Sequence, residues 1–345
     1  MKFLVPLVWS VSAIFLLQAC GSNAKKTPAA ASIVIPEKTE EPVAVHLIQP
    51  SDIAKYISDF KLQQEALDFQ FEGVSYDISL VDFDMDENVI YAKFDKGFII
   101  FGFDFNKNEP LNTMTIVESD FEDINEAFSA PSRVFRGSSL SVNSDNDDNA
   151  IYSGSVVDPD TQGLFSVRLV TNESLISAGS SVIKVNGINA TVNGDLGTST
   201  YVQIQDLINN NPEVTRLILQ QISGSVNDAI NMHTGRLVRN AQMTTKVEAT
   251  SDINSGGVDL YAAGYKRVYT DGAKVGVHSW CCVDGKAANE LPRDHLAHGA
   301  QLTFVREMLG VELGPEFYFF TLDASPFSSV HVMTKAELEK YLISL

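Results

Sequence analysis

The chain has 345 residues, 44 acidic against 25 basic side chains, and a formal net charge of −19. At that length two domains plus extra segments are expected, and a hydrophobic content of 44% excludes a wholly disordered chain. The acidic balance argues against nucleic acid as a partner, which needs a basic footprint, and against electrostatic docking on anionic lipid; three cysteines are too few for a disulfide framework.

The first element is an address. Lys2 opens it, and Phe3 to Leu17 is an apolar run that includes Pro6, Trp9, Ile14, Phe15, Leu16 and Leu17. A transmembrane helix needs about 20 such residues, so the run fits the apolar region of a secretory signal. It ends Leu17-Gln18-Ala19-Cys20-Gly21. This resembles the bacterial lipobox, which implies cleavage before Cys20, a diacylglycerol on its thiol and attachment to a membrane through that lipid. Gly21 is not the retention aspartate, so the resemblance implies the outer membrane facing the periplasm. The alternative is an ordinary signal in which Cys20 falls by chance. Residues 1–19 thus read as a lipoprotein signal peptide and 20–47, rich in Ser, Ala, Thr and Pro, as a flexible tether.

Most of the negative charge follows. Residues 45–170 carry 23 acidic and 8 basic side chains, a balance of −15 that leaves −4 for the rest. Ile53 to Leu67 has the pattern of a short helix. Phe69–Phe71, Val74–Ile78, Val89–Phe94, Gly97–Phe105, Ile151-Tyr152 and Leu164–Val170 alternate or are β-rich, the mark of half-buried strands. Residues 48–175 are therefore expected to form an acidic, mostly β accessory domain. Two acid clusters, Asp82-Asp84-Asp86-Glu87 and Asp145-Asn146-Asp147-Asp148, lack the layout of a calcium loop and read as solvated turns.

From Ser181 the pattern changes to strands at 182–187, 188–192, 216–220, 244–248, 267–269 and 273–278, alternating with helices at 201–209, 227–240 and from Ser255 through Ala263. That alternation predicts an α/β domain over 181–345. The ordered set Leu217-Ile218-Leu219-Gln220, Ser223-Gly224-Ser225-Val226-Asn227-Asp228-Ala229, Gly235-Arg236-Leu237-Val238-Arg239, Ser255 to Gly264, and Gly272 to His278 resembles the Clp-protease/crotonase superfamily, in particular its periplasmic Clp-like peptidase branch. The resemblance covers roughly half of the chain. It implies a ββα spiral fold, a peptide or protein substrate, no cofactor or metal, and a homo-oligomer built through the helical region.

Serine hydrolysis needs an activated hydroxyl, a base within reach and donors for the oxyanion. By resemblance the nucleophile is Ser255, which stands where a helix begins and is followed by two glycines; the competing reading is a helix cap, a favoured place for serine. The base would be His278, otherwise an ordinary residue at a strand end. The oxyanion donors would be the backbone N–H groups of Gly224 and Gly256, although Ile222-Ser223-Gly224 stands where the family has Pro-Gly-Gly. The third member is open: the family position falls at Ser329 or Val330, with Asp323 several residues early. The function expected is a lipid-anchored envelope serine hydrolase, with a catalytically inactive binding or assembly protein as the alternative; acyl-CoA chemistry fits an exported chain poorly. His295 and His298 lie three apart beside Asp294, yet zinc would need further ligands, so a polar loop entering a helix at 302–308 is expected. Adjacent Cys281 and Cys282 could form a vicinal bridge, stay free or pair between chains. No phosphate-binding Gly-rich loop is present.

Overall fold

The computed structural model describes residues 43–145 and 148–343. The signal segment, Cys20 and the tether up to residue 42 lie outside the described residues. What is described is a mixed α/β chain with two separate sheets.

The first helix, α1 (Ile53–Glu65), follows from its apolar spacing. Ile53, Tyr56, Ile57 and Phe60 recur at three and four residues and share one face, and Ile57 and Phe60 are buried. Ten strands then form an antiparallel sheet: β1 (Asp68–Phe71), β2 (Val74–Tyr76), β3 (Ser79–Asp84), β4 (Val89–Phe94), β5 (Gly97–Asp104), β6 (Glu109–Glu118), β7 (Arg133–Gly137), β8 (Ser141–Ser144), β9 (Ala150–Val157) and β10 (Leu164–Thr171). Their order is β2-β1-β10-β9-β7-β6-β5-β4-β3, with β8 paired to β9. Short helices α2 (Ile124–Ser129) and α3 (Ser174–Ser177) flank it.

The core of this sheet is aromatic. Phe69, Phe101, Phe135 and Tyr152 are fully buried, and rings meet edge to face, as between Phe71 and Phe135 at 5.0 Å. Each such ring contributes roughly 2 kcal/mol through burial. Four strands here, β3, β6, β7 and β8, were not expected from the sequence. Asp82 and Asp84 lie in β3 rather than in a turn, and Asp84 Oδ1 accepts from the N–H groups of Asp86 and Glu87 at 2.9 Å, which turns the chain into β4.

The second sheet holds seven strands: β11 (Val182–Asn186), β12 (Asn189–Asn193), β13 (Arg216–Ile222), β14 (Thr244–Asn254), β15 (Lys266–Tyr269), β16 (Lys274–Val277) and β17 (His331–Val332). The order is β11-β12-β13-β14-β16-β17, with β15 also on β14. Strands β12, β13, β14, β15 and β16 run parallel. The long β14 pairs with β15 through its first half and with β16 through its second. Crossovers are made by α4 (Thr198–Asn210), α5 (Asp228–Asn240) and α6 (Gly256–Ala262), and α7 (Gly299–Leu309), α8 (Leu313–Ala324) and α9 (Lys335–Leu338) complete the layer. Six of the seven residues of α6 are buried, as expected of a helix enclosed on all sides.

Residues 45–47, expected in the tether, and 48–60, expected in the accessory domain, instead pack against the helices of the second sheet. Val45 N–H donates to Thr303 Oγ1 at 3.1 Å, His233 Nε2 bonds the Ile48 carbonyl at 2.8 Å, and Asn227 Nδ2 donates to the Tyr56 hydroxyl at 2.7 Å. Ile57, Tyr201 and Ile230 form a small apolar cluster beneath these bonds. No helix among the described residues is long and apolar enough to cross a membrane.

Candidate active site

Parallel strands gather their carboxyl ends at one edge of a sheet, and ligands bind there. Three such ends meet in this fold. β13 ends at Ile222 and runs into Ser223-Gly224; β14 ends at Asn254 and is followed by Ser255; β16 ends at Val277 and is followed by His278. Ser255 and His278, twenty-three residues apart in sequence, therefore line one narrow cavity of about 40 Å3, together with Asp228, Asp259, Trp280, Gln301, Phe317 and Thr321.

The backbone of Ser255 is pinned in a conformation that L-residues rarely adopt, φ 51° and ψ −123°. Its N–H donates to the Gly276 carbonyl at 3.0 Å, and its carbonyl accepts from Val258 N–H at 2.8 Å. Such a conformation costs about 1–3 kcal/mol and persists only where surrounding structure enforces it. The hydroxyl makes no capping bond to α6. Serine stands at the cap position without capping, and its hydroxyl is left to face the cavity. Gly224 faces it: a Cβ at Gly224 would lie 3.4 Å from Ser255 Cβ.

His278 is held by its main chain. Nδ1 lies 2.8 Å from the Ser279 carbonyl oxygen. A carbonyl only accepts, so Nδ1 carries the proton and the neutral ring keeps a lone pair on Nε2. Ser279 is itself fully buried and fixed: its N–H donates to the Ser325 carbonyl at 2.8 Å, and its hydroxyl accepts from Asn289 N–H at 3.1 Å. A backbone carbonyl thus stands behind the imidazole where a triad would have a carboxylate. No hydrogen bond joins Ser255 to His278 in this state; such contacts commonly tighten only when substrate is bound.

Asp323 is not brought to this cavity. It sits on α8 with its carboxylate exposed and paired with Arg293 at 2.8 Å. Ser329 bonds the Ser325 hydroxyl at 2.7 Å and is likewise absent from the cavity lining.

Of the two proposed oxyanion donors, Gly256 is the first residue of α6, where N–H groups lack intrahelical acceptors and the helix dipole favours negative charge. Close approach requires glycine here, because a Cβ would lie 2.6 Å from Ser225 Cβ and 2.9 Å from Asn231 Nδ2. The amides of Ser223 and Gly224 stand beside the Asp195 carboxyl; burial raises that carboxyl, and the Ser223 side chain and the two amides partly offset the rise. Asp195 Oδ1 nonetheless has no hydrogen-bond partner, so the carboxyl is incompletely satisfied. Gly224 consequently points its amide toward a region already claimed in part by a protein anion.

Two carboxylates in the cavity were not singled out as chemistry from the sequence. Asp259, one turn into α6, has its carboxyl pushed up to about 7, first by burial and then by the charge of Asp228. Asp228, at the start of α5, is raised by the crowding of protein around it and pulled back by the Ser225 hydroxyl and by His278; it keeps an open face to solvent, which tempers the rise. Both lay inside the segments that carried the family resemblance. The signal that could have marked them is their register, since each is the first acid after a glycine-bearing strand-to-helix turn.

The histidine pair resolves as structure. His298 is fully buried, with Nε2 on the Pro292 carbonyl at 3.1 Å and Nδ1 on the Tyr318 hydroxyl at 2.8 Å. That hydroxyl accepts from Trp280 Nε1 at 2.8 Å, so the chain of bonds braces the Trp280 wall of the cavity. Among the described residues no three His, Cys, Asp or Glu side chains converge as metal ligands. Cys281 and Cys282, just beyond Trp280, form a vicinal disulfide.

No protein-family model and no curated protein matches the chain. Solved structures similar to part of it include enoyl-CoA hydratases from Bacillus anthracis (12% identity, TM-score 0.32), covering 47% of this chain and 68% of that one, and from Geobacillus kaustophilus (11%, TM-score 0.30), covering 48% and 69%. A third, from Polaromonas, covers 28% of this chain and half of its own length at 12% identity and a TM-score of 0.24. Superpositions this loose carry no argument about fold family or reaction.

Proposed function

We propose that this chain is a lipid-anchored serine hydrolase of the cell envelope, a peptidase whose C-terminal half has the Clp/crotonase-like spiral fold and follows the acidic β region. The observation that carries the reading is the convergence of three parallel strand ends, which sets an uncapped serine on a strained turn beside a histidine whose tautomer is fixed by a carbonyl. In the reaction, Ser255 Oγ attacks the scissile carbonyl carbon while His278 Nε2 takes the hydroxyl proton. The former carbonyl oxygen becomes an oxyanion that accepts from the Gly256 N–H, with the Gly224 N–H as the second donor. Collapse breaks the C–N bond, and His278 returns its proton to the leaving amine. Water activated by the same imidazole then hydrolyses the acyl-serine.

A fluorophosphonate probe is expected to label the purified protein, and Ser255→Ala to abolish the label; equal labelling of both refutes the assignment. The second reading, a binding or assembly protein that keeps the fold without catalysis, draws on Asp195 beside the Gly224 amide and on the missing carboxylate behind His278. Full cellular function in a Ser255→Ala, His278→Ala double variant would favour it.

A further inference from the structure

We propose that the cavity beside Ser255 receives a basic side chain of the substrate, lysine above all, held by the carboxylates of Asp228 and Asp259 between the walls of Phe317 and Trp280; this deepens the hydrolase reading and rests on it for the identity of the reacting serine. The cavity lining contains two aspartates and no lysine or arginine. Among the described residues neither aspartate is paired with a lysine or arginine: Asp228 accepts from the Ser225 hydroxyl and has His278 across the cavity, and Asp259 accepts from Gln301 Nε2 at a long 3.4 Å. The aspartates elsewhere in this sheet layer that face a lysine differ, as Asp252 does with Lys274 at 3.0 Å.

Carboxylates crowded by protein are costly to ionise unless a counter-charge arrives. These two also repel each other, and the repulsion is felt at Asp259. A primary ammonium supplies one positive charge and three donors, which fits two carboxylates better than any neutral group. The approach is apolar. Val258, Val277 and Phe317 line the same cavity and suit the methylene stem of a lysine, while the faces of Phe317 and Trp280 favour a cation over an anion. The narrow space favours an ammonium over the broader guanidinium. An inorganic cation is disfavoured, because among the described residues no group of three metal-ligating side chains is formed.

The test uses the full-length protein and three probes: a plain fluorophosphonate, and two peptidyl diphenyl phosphonates that differ only in carrying lysine or its uncharged isostere norleucine. The lysyl probe is expected to label Ser255 at least tenfold faster than the norleucyl probe, and Asp259→Asn and Asp228→Asn each to drive that ratio toward one. Equal rates for the two side chains, with efficient fluorophosphonate labelling, overturn the cation site and leave the hydrolase reading standing. If no probe labels, the hydrolase reading fails, and n-butylammonium decides the cation site alone. Trp280 fluorescence is the readout, with Trp9→Phe removing the other tryptophan of the chain. A saturable change lost in Asp259→Asn supports the site, and a flat titration overturns it.

Discussion

Asp259→Asn should make the protein more stable at alkaline pH, although it removes a charged residue from the candidate site. The Asp259 carboxyl has an ordinary value of 3.8 and is pushed up to about 7 in the fold. Folded protein therefore holds a proton that the unfolded chain has already released across this interval. Stability contributed by the protonated group is fully present below pH 3.8 and is lost as pH rises to about 7. About three pH units at 1.36 kcal/mol each set an upper bound of about 4 kcal/mol, and water entering the cavity brings the expected cost of the ionised form nearer 2 kcal/mol. Asparagine has the same shape, keeps an oxygen to accept from Gln301 and cannot ionise. Urea unfolding of both proteins at pH 5 and pH 8 measures the effect. The stability gap in favour of the variant should widen by about 2 kcal/mol between the two pH values, seen as a shift in midpoint at unchanged slope. A gap that stays constant, or a variant that is less stable at pH 8, would refute the enclosed, uncompensated carboxyl from which the cation site is argued.

Ser255→Gly should abolish fluorophosphonate labelling and raise stability by about 1 kcal/mol, because glycine adopts the positive φ without strain; a destabilised variant would show that the turn is relaxed. Gly256→Ala should lose labelling and cost roughly 2 kcal/mol, since its Cβ meets Ser225 and Asn231, as read by the same probe and by urea unfolding. Ile57→Ala should cost about 2–4 kcal/mol by emptying the cluster it shares with Tyr201 and Ile230, and an unchanged midpoint would mean that residues 45–60 do not pack on the second sheet. Cys20→Ser should eliminate incorporation of an alkyne-labelled palmitate in cells and release the protein from membranes; retained label would place the lipid elsewhere.

The alternation of strand and helix after residue 181 was legible because parallel strands buried on both faces read as short apolar runs, as Leu217-Ile218-Leu219 does between Arg216 and Gln220. Helix α5 was legible from its spacing and from Asn227 at its start, whose side chain accepts from Ile230 N–H at 3.3 Å. The acidic sheet was harder. Strand β8 and the first half of β6 are largely exposed, with Asn112, Thr113 and Asn143 outward, so their sequence looks like the turns around them. Helix α8 hid in Gly314-Pro315, which resembles a break yet falls in the first turn, where proline is tolerated. At the site, Ser255 and His278 were marked by the family resemblance and not by residue type, since a serine at a helix start reads equally as a cap. Asp228 and Asp259 did not stand out, because an acid in the first turn of a helix is also what the helix dipole alone would select. Their meeting depends on a long-range fact, the shared edge of β13, β14 and β16, that no local pattern carries.

The same long-range fact accounts for the missing acid behind His278. In a triad the carboxylate fixes the imidazole tautomer and stabilises the imidazolium. A carbonyl oxygen can do the first and does the second only weakly. The Ser279 carbonyl is held by a buried residue tied to Ser325 and Asn289, so orientation is supplied by the main chain. The charge is supplied from another direction: Asp228, across the cavity, feels His278 as a favourable partner. Separating orientation from charge in this way leaves both aspartates facing the substrate instead of the histidine alone. A site arranged so would stabilise the imidazolium less than a triad does when empty, and would respond to what enters the cavity, because a bound ammonium competes with the imidazolium for the same carboxylates. Turnover on a lysyl substrate should then rise more slowly than binding improves, appearing as a lower KM with a nearly constant kcat relative to the norleucyl analogue. A lysyl substrate that raises kcat while leaving KM unchanged would mean that the ammonium aids the chemical step itself, contrary to this division of roles.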